Sequence, residues 1–132
     1  MEGEALRIKN VEYLGRKSQQ EVAELMGRAT TLIFPSLWYE GMPRTIIESF
    51  AKGTPVIASD LGTMKSMVGT PFPDRVYPAG DARELIRIVR AVNNSDSRQH
   101  ERGQARQQYL QNYNGEKNIG QLETIYVAAV AR

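Results

Sequence analysis

The sequence contains no cysteine, a single histidine and no long apolar run, and each of these absences excludes a class of protein. Without cysteine the chain has no disulfide framework and no thiolate chemistry. Its histidine, aspartate and glutamate residues form no cluster with metal-ligand spacing, so no metal site is expected. No apolar segment approaches membrane-spanning length, and no signal-peptide pattern is present. We therefore expect a soluble, cytoplasmic protein, with peripheral contact to the inner membrane left open.

An excess of charge is also lacking, since 17 basic residues are nearly balanced by 15 acidic ones. The resulting net charge of +2 provides no argument for nucleic acid, despite a sequence pI of about 9.0. Glycine-rich motifs of the dinucleotide-binding and P-loop types are absent, so neither a dehydrogenase nor a kinase is supported. The length of 132 residues predicts one domain, and a hydrophobic content of 41% is sufficient for its core.

The order of the predicted elements indicates an α/β domain with a parallel sheet. Short strands are predicted at residues 11–14, 31–34, 55–58 and 75–77. Helices are predicted at residues 18–29, 43–51, 64–68, 81–93, 97–113 and 119–130, with a break at residues 94–96. The first helix begins with a capping box formed by Ser18 and Glu21. Strand, helix and strand joined by short connections are typical of a parallel unit.

The densest site chemistry lies in residues 39–59. Pro43 suits the first position of a helix, and Gly53 suits the left-handed position that ends it. This helix follows the carboxyl end of a strand, where open α/β sheets bind ligands, and its first N–H groups suit a phosphate. A carboxylate near the helix start, that of Glu40 before the helix or of Glu48 inside it, could bind both hydroxyls of a ribose. The alternative is that Glu40 and Glu48 flank an ordinary surface helix.

A wider match supports the first interpretation. The stretch E-G-M-P-R-T-I-I-E-S-F-A-K-G-T-P-V-I-A-S-D at residues 40–60 resembles the E-x7-E region of family-four nucleotide-sugar glycosyltransferases, which have the GT-B fold. The resemblance continues upstream through V-E-Y-L-G-R, A-E-L-M-G-R-A and L-I-F-P-S-L-W-Y, and downstream through Y-P-A-G-D. It implies a Rossmann-like, three-layer α/β domain with a parallel sheet. Residues 1–132 would be the C-terminal, donor-binding half of a GT-B fold, incomplete and without the N-terminal acceptor domain.

The resemblance also implies roles for individual residues. Glu48 corresponds to the glutamate that binds the ribose of the nucleotide. Glu40, the catalytic candidate, corresponds to the glutamate near the donor sugar and phosphates. The residues expected to bind the diphosphate at the helix start are Gly41, Met42, Arg44 and Thr45. Ser66 replaces a glutamate of the family, so no role is carried over to it.

Other polar and aromatic residues receive plainer interpretations. Trp38 and Tyr39 either line the rim of the cleft or pack beside the strand end. His100 is interpreted as a solvated helix residue and not as a base. A basic stripe, interpreted as a solvated face with phosphate or acidic lipid as the alternative, is formed by Arg98, Arg102 and Arg106.

The resemblance implies a retaining glycosyltransferase that needs neither a metal nor a cofactor. Its donor would be a nucleotide sugar such as a UDP-, GDP- or ADP-sugar, and its acceptor a sugar, a lipid-linked sugar or a small molecule. Two alternatives stay open: a GT-B sugar-nucleotide epimerase, and a non-catalytic domain that binds a nucleotide or a protein partner. The family's diphosphate-neutralising Arg and Lys are absent from this chain, so the isolated chain is expected to be inactive.

The predicted first strand raises a question of pairing. In the resembled fold, two further strands separate residues 11–14 from residues 31–34, and this chain lacks both of them. Buried backbone groups need partners, so residues 11–14 either move beside residues 31–34 or leave an open edge to another chain. We therefore expect self-association or a loosely ordered N-terminal segment.

Overall fold

The computed structural model describes residues 8–93 and 96–131, so positions 94 and 95 of the predicted break lie outside the described residues. The strands are β1 (Leu32–Phe34), β2 (Val56–Ser59) and β3 (Val76–Tyr77). The helices are α1 (Gln19–Arg28), α2 (Arg44–Ala51), α3 (Gly62–Gly69), α4 (Ala82–Asn93), α5 (Arg98–Gln108) and α6 (Gly115–Val130). A 3₁₀ turn at Pro73–Arg75 precedes β3, and a π-helical turn at Tyr109–Tyr113 follows α5.

The sheet is parallel, with the strands in the order β1, β2, β3. Ile33 lies opposite Ile57 in the first pair, and Ser59 lies opposite Tyr77 in the second. The predicted α/β class with a parallel sheet is therefore confirmed. The order leaves β1 and β3 as edges within the described part of the chain.

The prediction of a fourth strand at residues 11–14 is wrong. These residues form no strand, and the side chains of Val11 and Tyr13 are 50% and 51% exposed. A four-residue segment has too few contacts to stay extended without a partner strand. It does not move beside β1, and the alternative of pairing with another chain stays a prediction.

Helices cover both faces of the sheet, as the three-layer prediction requires. Successive residues of a strand point to opposite faces. In β2, Val56 and Ala58 pack into one cluster with side chains from α2, α3 and α5, while Ile57 packs into another cluster with α4. The buried members contributed by helices to the first cluster are Ile46, Phe50, Met64, Met67, Val68 and Ala105. The fold is thus Rossmann-like.

Helix α5 is anchored to the rest of the fold, because several of its side chains bind other elements. Ala105 is fully buried. Glu101 forms an ion pair with Arg75 at 2.6 Å, and the Gln104 side chain donates a hydrogen bond to the Pro71 carbonyl at 2.7 Å. Helix α5 therefore binds both the loop at Pro71 and the 3₁₀ turn that contains Arg75.

The interpretation of the basic stripe as a solvated face is wrong for Arg102, which is half-buried, whereas Arg98 and Arg106 are exposed as predicted. Arg102 donates to backbone carbonyls after α1 and α2, and Arg106 donates to the Ala51 carbonyl at the end of α2. The last carbonyls of a helix lack intrahelical partners and carry partial negative charge, so they attract cations. Arg98 is exposed and bonds to the Asn93 carbonyl at 3.2 Å.

Helix α6 forms as predicted, with the Asn114 side chain accepting from the Lys117 N–H at 2.8 Å as its N-terminal cap. Its large apolar side chains are all between 52% and 85% exposed, and they are Ile119, Leu122, Ile125, Tyr126, Val127 and Val130. No helix in the described residues is long and apolar enough to span a membrane. Its apolar side chains are therefore uncovered within this chain.

Gly53 ends α2 in the left-handed conformation that was predicted, with φ at +68°. A Cβ atom here would also lie 3.2 Å from the Arg102 carbonyl oxygen. Both effects act against Gly53→Ala, which we expect to lower the free energy of unfolding by about 1–3 kcal/mol. Urea denaturation followed by circular dichroism measures this change.

Gly103→Ala is the matched control, because Gly103 lies inside α5 and a Cβ there meets nothing within 4 Å. Alanine at this helical position should raise stability by about 0.5–1 kcal/mol. Equal stability of the Gly53 variant and the parent chain would contradict the argument from backbone conformation.

Candidate functional site

The candidate site is built on the carboxyl edge of the sheet, where the three strand ends are tied together. The Ser59 hydroxyl donates to the Ser36 carbonyl at 2.6 Å, which joins the ends of β2 and β1. The Asp60 N–H donates to the Tyr77 carbonyl at 2.9 Å, and the Asp60 carboxylate accepts from the Ala79 N–H at 3.1 Å. These bonds hold the loops that lead into α2 and α3.

Both helices that follow these loops begin without a side-chain cap. Pro43 is the N-cap residue of α2 and not its first helical residue, so the helix begins one residue later than predicted. Leu61 is the N-cap residue of α3. Neither first turn contains an acidic residue. The sheet edge therefore carries two helix starts whose N–H groups and positive dipole ends are not neutralised by a side chain.

Other helices of the same domain have capped starts. In α1 the Ser18 hydroxyl accepts from the Glu21 N–H at 3.2 Å, and the Glu21 carboxylate accepts from the Ser18 N–H at 2.8 Å. The latter bond lowers the pKa of Glu21 below its usual value. In α4 the Asp81 carboxylate accepts two backbone N–H bonds at 3.0 Å. The uncapped starts of α2 and α3 thus differ from those of α1, α4 and α6.

The start of α2 presents the residues that were expected to bind phosphate. Gly41 and Met42 are exposed in the loop, and Arg44 and Thr45 occupy the first turn of the helix. The Arg44 side chain is 82% exposed. Glu40 is half-buried just before this turn and makes no hydrogen bond or ion pair with the described residues. The structure therefore brings these candidates together at one helix start.

Glu48 lies beside a groove between α1 and α2. The groove is a cavity of about 230 Å³, and it is lined by Lys17, Gln19, Val22, Ala23, Met26, Glu48, Ala51 and Lys52. Ile46 and Phe50 of the same helix are fully buried on its other side, which leaves Glu48 facing outward. Its carboxylate lies 3.6 Å from the Arg44 guanidinium and is 43% exposed. One side of this groove is apolar, and a carboxylate borders it.

The α1 side of this groove was missed in the sequence, where no residue of α1 was assigned to the site. Consecutive helices on one face of a parallel sheet pack side by side. The sequence signal for this side of the groove was therefore the face of α1 that lies next to the Glu48 face of α2. Both helices lead into strands of the parallel sheet, and therefore both begin at its carboxyl edge. The groove runs from Lys17 and Gln19 at the start of α1 to Met26 and Lys52 near the C-terminal ends of the two helices.

The loop before α2 supplies exposed aromatic side chains. Trp38 and Tyr39 are each 79% exposed, so they do not pack beside the strand, and their place at the rim of the cleft stays a prediction. The Tyr39 ring lies against Gly62 at the start of α3. His100 is exposed on α5, as predicted, and Ser66 donates only to the Thr63 carbonyl within α3.

Comparisons with known proteins agree with this architecture. The sequence profile of the family described as glycosyl transferases group 1 matches residues 3–109. The chain is 29% identical over 120 residues to the MMP alpha-(1->4)-mannosyltransferase of Mycolicibacterium hassiacum, covering 87% of this chain and 28% of that protein. It is 27% identical over 89 residues to the phosphatidyl-myo-inositol mannosyltransferase of Mycobacterium leprae, covering 67% and 24%.

A third relative is an uncharacterized glycosyltransferase of Methanocaldococcus jannaschii, 27% identical over 120 residues that cover 90% of this chain and 34% of the relative. The chain therefore spans about a quarter to a third of the length of the curated relatives it matches. No solved structure matches the chain significantly. Since the family profile matches most of the chain, this protein belongs to the glycosyl transferases group 1 family.

Proposed function

We propose that this chain is the donor-binding domain of a retaining glycosyltransferase. The donor is a nucleotide-diphosphate sugar, and the acceptor is a sugar, a lipid-linked sugar or a small molecule bound by parts of the protein that this chain lacks. The observation that carries the proposal is the arrangement on α2, where an uncapped helix start and the Glu48 groove lie about one turn apart. This arrangement matches a diphosphate joined to a nucleoside.

The diphosphate would bind at the start of α2. The N–H groups of Arg44 and Thr45 belong to the first turn, where a helix has no partners of its own for them. The start of α3 adds a second positive dipole end at the same sheet edge. The exposed Arg44 side chain can exchange its weak contact with Glu48, at 3.6 Å, for a phosphate oxygen.

The nucleoside would lie in the groove between α1 and α2. The Glu48 carboxylate accepts hydrogen bonds from both ribose hydroxyls, a role that needs two acceptor oxygens on one side chain. Val22, Ala23 and Met26 provide an apolar wall for the face of the base. This wall would contact the face of a base and not its edge, so it does not distinguish uracil, guanine and adenine. These three bases remain to be compared.

Glu40 would act at the donor sugar. It precedes the diphosphate-binding turn and has no competing partner among the described residues. Catalysis would depend on stabilising the negative charge that develops on the departing diphosphate, for which oriented N–H groups are suited. Two of the relatives are named mannosyltransferases, so mannose is the first donor sugar to test.

This assignment predicts that the chain binds nucleotide but does not transfer sugar by itself. Groups from the rest of the protein must close over the donor to orient it for reaction. The epimerase alternative would require a group that abstracts a proton from the sugar, and the site described above contains no group assigned to that role. The non-catalytic alternative predicts nucleotide binding without transfer even in the longer protein.

Calorimetric titration of the 132-residue chain with UDP, GDP and ADP tests the proposal. Glu48→Ala should weaken binding of the preferred nucleotide by about 1.5–3 kcal/mol, the scale of hydrogen bonds to a charged group. The parent chain should lose a similar amount when the 2′,3′-dideoxy nucleotide replaces the normal one. The Glu48→Ala variant should not distinguish the two nucleotides, because its ribose contact is already gone.

Glu24→Ala is the control, since Glu24 is an exposed glutamate on α1 whose one partner among the described residues is Gln20 at 3.3 Å. It should bind nucleotide as the parent chain does. A folded Glu48→Ala variant with unchanged affinity would remove the ribose assignment.

A further inference from the structure

Arg102 connects the C-terminal ends of the two helices that form the Glu48 groove. Its Nη1 donates to the Ala29 carbonyl at 3.0 Å, and its Nη2 donates to the Gly27 carbonyl at 2.7 Å. The same Nη2 approaches the Lys52 carbonyl at 3.3 Å. Ala29 is the C-cap residue of α1, and Lys52 is the C-cap residue of α2. One guanidinium group therefore holds both helix ends.

The chemistry of this contact requires arginine. Helix ends present carbonyl groups without intrahelical partners, and their partial negative charge favours a cation. A guanidinium group is planar and offers several donors in fixed directions, so it can serve carbonyls from two helices together. Lysine carries the same charge on one nitrogen and cannot reproduce that fork.

The acceptor carbonyls belong to the groove itself or adjoin it. Lys52 lines the groove from α2, and Gly27 follows Met26, which lines it from α1. A second bond at this end joins the Thr54 hydroxyl to the Met26 carbonyl at 2.6 Å. The uncapped start of α2 lies at the opposite end of the helix from Arg102. A change in Arg102 would therefore alter the groove without touching the phosphate-binding turn.

We propose that Arg102 is a positioning residue for nucleotide binding. It holds α1 and α2 at the spacing that fits a nucleoside between Glu48 and the apolar wall of α1. This inference rests on the proposed function of the groove. It assigns to α5 a role in donor recognition although α5 lies outside the groove.

Inorganic pyrophosphate separates positioning from a general loss of structure. Pyrophosphate would use only the helix start, whereas UDP, GDP or ADP would use the helix start and the groove. Arg102→Ala should therefore raise the Kd of the preferred nucleotide by roughly 10–100-fold, the range seen when groups that orient direct ligands are removed. The Kd of pyrophosphate should stay within about twofold, since the start of α2 is unchanged.

Calorimetric titrations at low temperature, with folding checked by circular dichroism, measure both affinities for the parent chain and its variants. Arg102→Lys should lose nucleotide affinity nearly as Arg102→Ala does, because charge alone does not replace the fork. Arg98→Ala is the control on the same helix, since the one side-chain bond of Arg98 to the described residues is to the Asn93 carbonyl. If Arg102→Ala is unfolded, Arg102→Lys carries the comparison.

Each outcome has a definite meaning. Selective loss of nucleotide affinity in the Arg102 variants supports the positioning role. Equal loss of nucleotide and pyrophosphate affinity, or no loss of either, overturns it while leaving the groove assignment intact. If the parent chain binds nucleotide no better than pyrophosphate, the groove is not a nucleoside site and the proposed function itself fails.

Discussion

Glu101→Leu is expected to lower the free energy of unfolding by about 3–5 kcal/mol, because it leaves a buried cation without its counter-charge. The Arg75 side chain is only 2% exposed, and its Nη2 lies 2.6 Å from the Glu101 carboxylate. Its other contacts are weak, since Nη1 lies 3.5 Å from the Thr31 hydroxyl and the guanidinium carbon lies 5.5 Å from the centre of the Phe72 ring. Within residues 8–93 and 96–131, no other carboxylate pairs with this guanidinium.

The double variant Arg75→Met/Glu101→Leu should recover much of this loss. Removing both charges abolishes the cost of an unpaired buried ion, and an apolar pair of similar volume is often neutral. Arg87→Met provides the surface comparison, since Arg87 is 63% exposed and lies 2.6 Å from Glu84. Breaking that exposed pair should cost about 0–1 kcal/mol. Chemical denaturation of the three variants measures these values.

If Glu101→Leu were no more destabilising than Arg87→Met, the ion pair would not be buried in solution. A double variant less stable than Glu101→Leu would show that Arg75 contributes packing beyond its charge. The comparison therefore separates the charge of Arg75 from its volume.

Phe50→Ala is expected to remove about 3–5 kcal/mol of stability, the usual cost of deleting a buried aromatic side chain. Phe50 is fully buried on α2 and lies at the centre of the larger core cluster. Its ring centre is 6.3 Å from that of Phe72 and 6.4 Å from that of Tyr113. Alanine would leave a cavity between the sheet, α3 and the π-helical turn.

Trp38→Ala is the control for loss of an aromatic ring, since Trp38 is 79% exposed. A surface change of this kind should alter stability by no more than about 0.5 kcal/mol. Thermal unfolding followed at a wavelength sensitive to helix content compares the two variants. A Phe50→Ala chain as stable as the Trp38→Ala chain would contradict the packing described for this core.

Local patterns predicted the centre of the fold correctly. The apolar run at β2 and the helical spacing of Ile46 and Phe50 on α2 were sufficient, because the burial of these residues depends only on the elements next to them. The uncapped helix start beside Glu48 was also predictable, since it depends on consecutive residues. The α1 wall of the groove was not, because its distance from Glu48 is set by packing between elements.

The failures occurred where a partner lies far away in the sequence. Arg98, Arg102 and Arg106 recur every four residues, which is the same pattern that a solvated face shows. Arg102 finds its acceptor at Ala29 across 73 residues, and no local pattern reports such a contact. Residues 11–14 show the converse, since an alternating pattern forms no strand where no partner strand lies beside it.

The same long separation has a consequence for synthesis on the ribosome. Arg102 follows Ala29 by 73 residues. At a translation rate of about 5–20 residues per second, this interval lasts roughly 4–15 s. From the completion of α2 onward, the nascent chain contains both helices but lacks the guanidinium that joins their ends. The contacts that join the ends of α1 and α2 through Arg102 therefore form only after α5 has been synthesised.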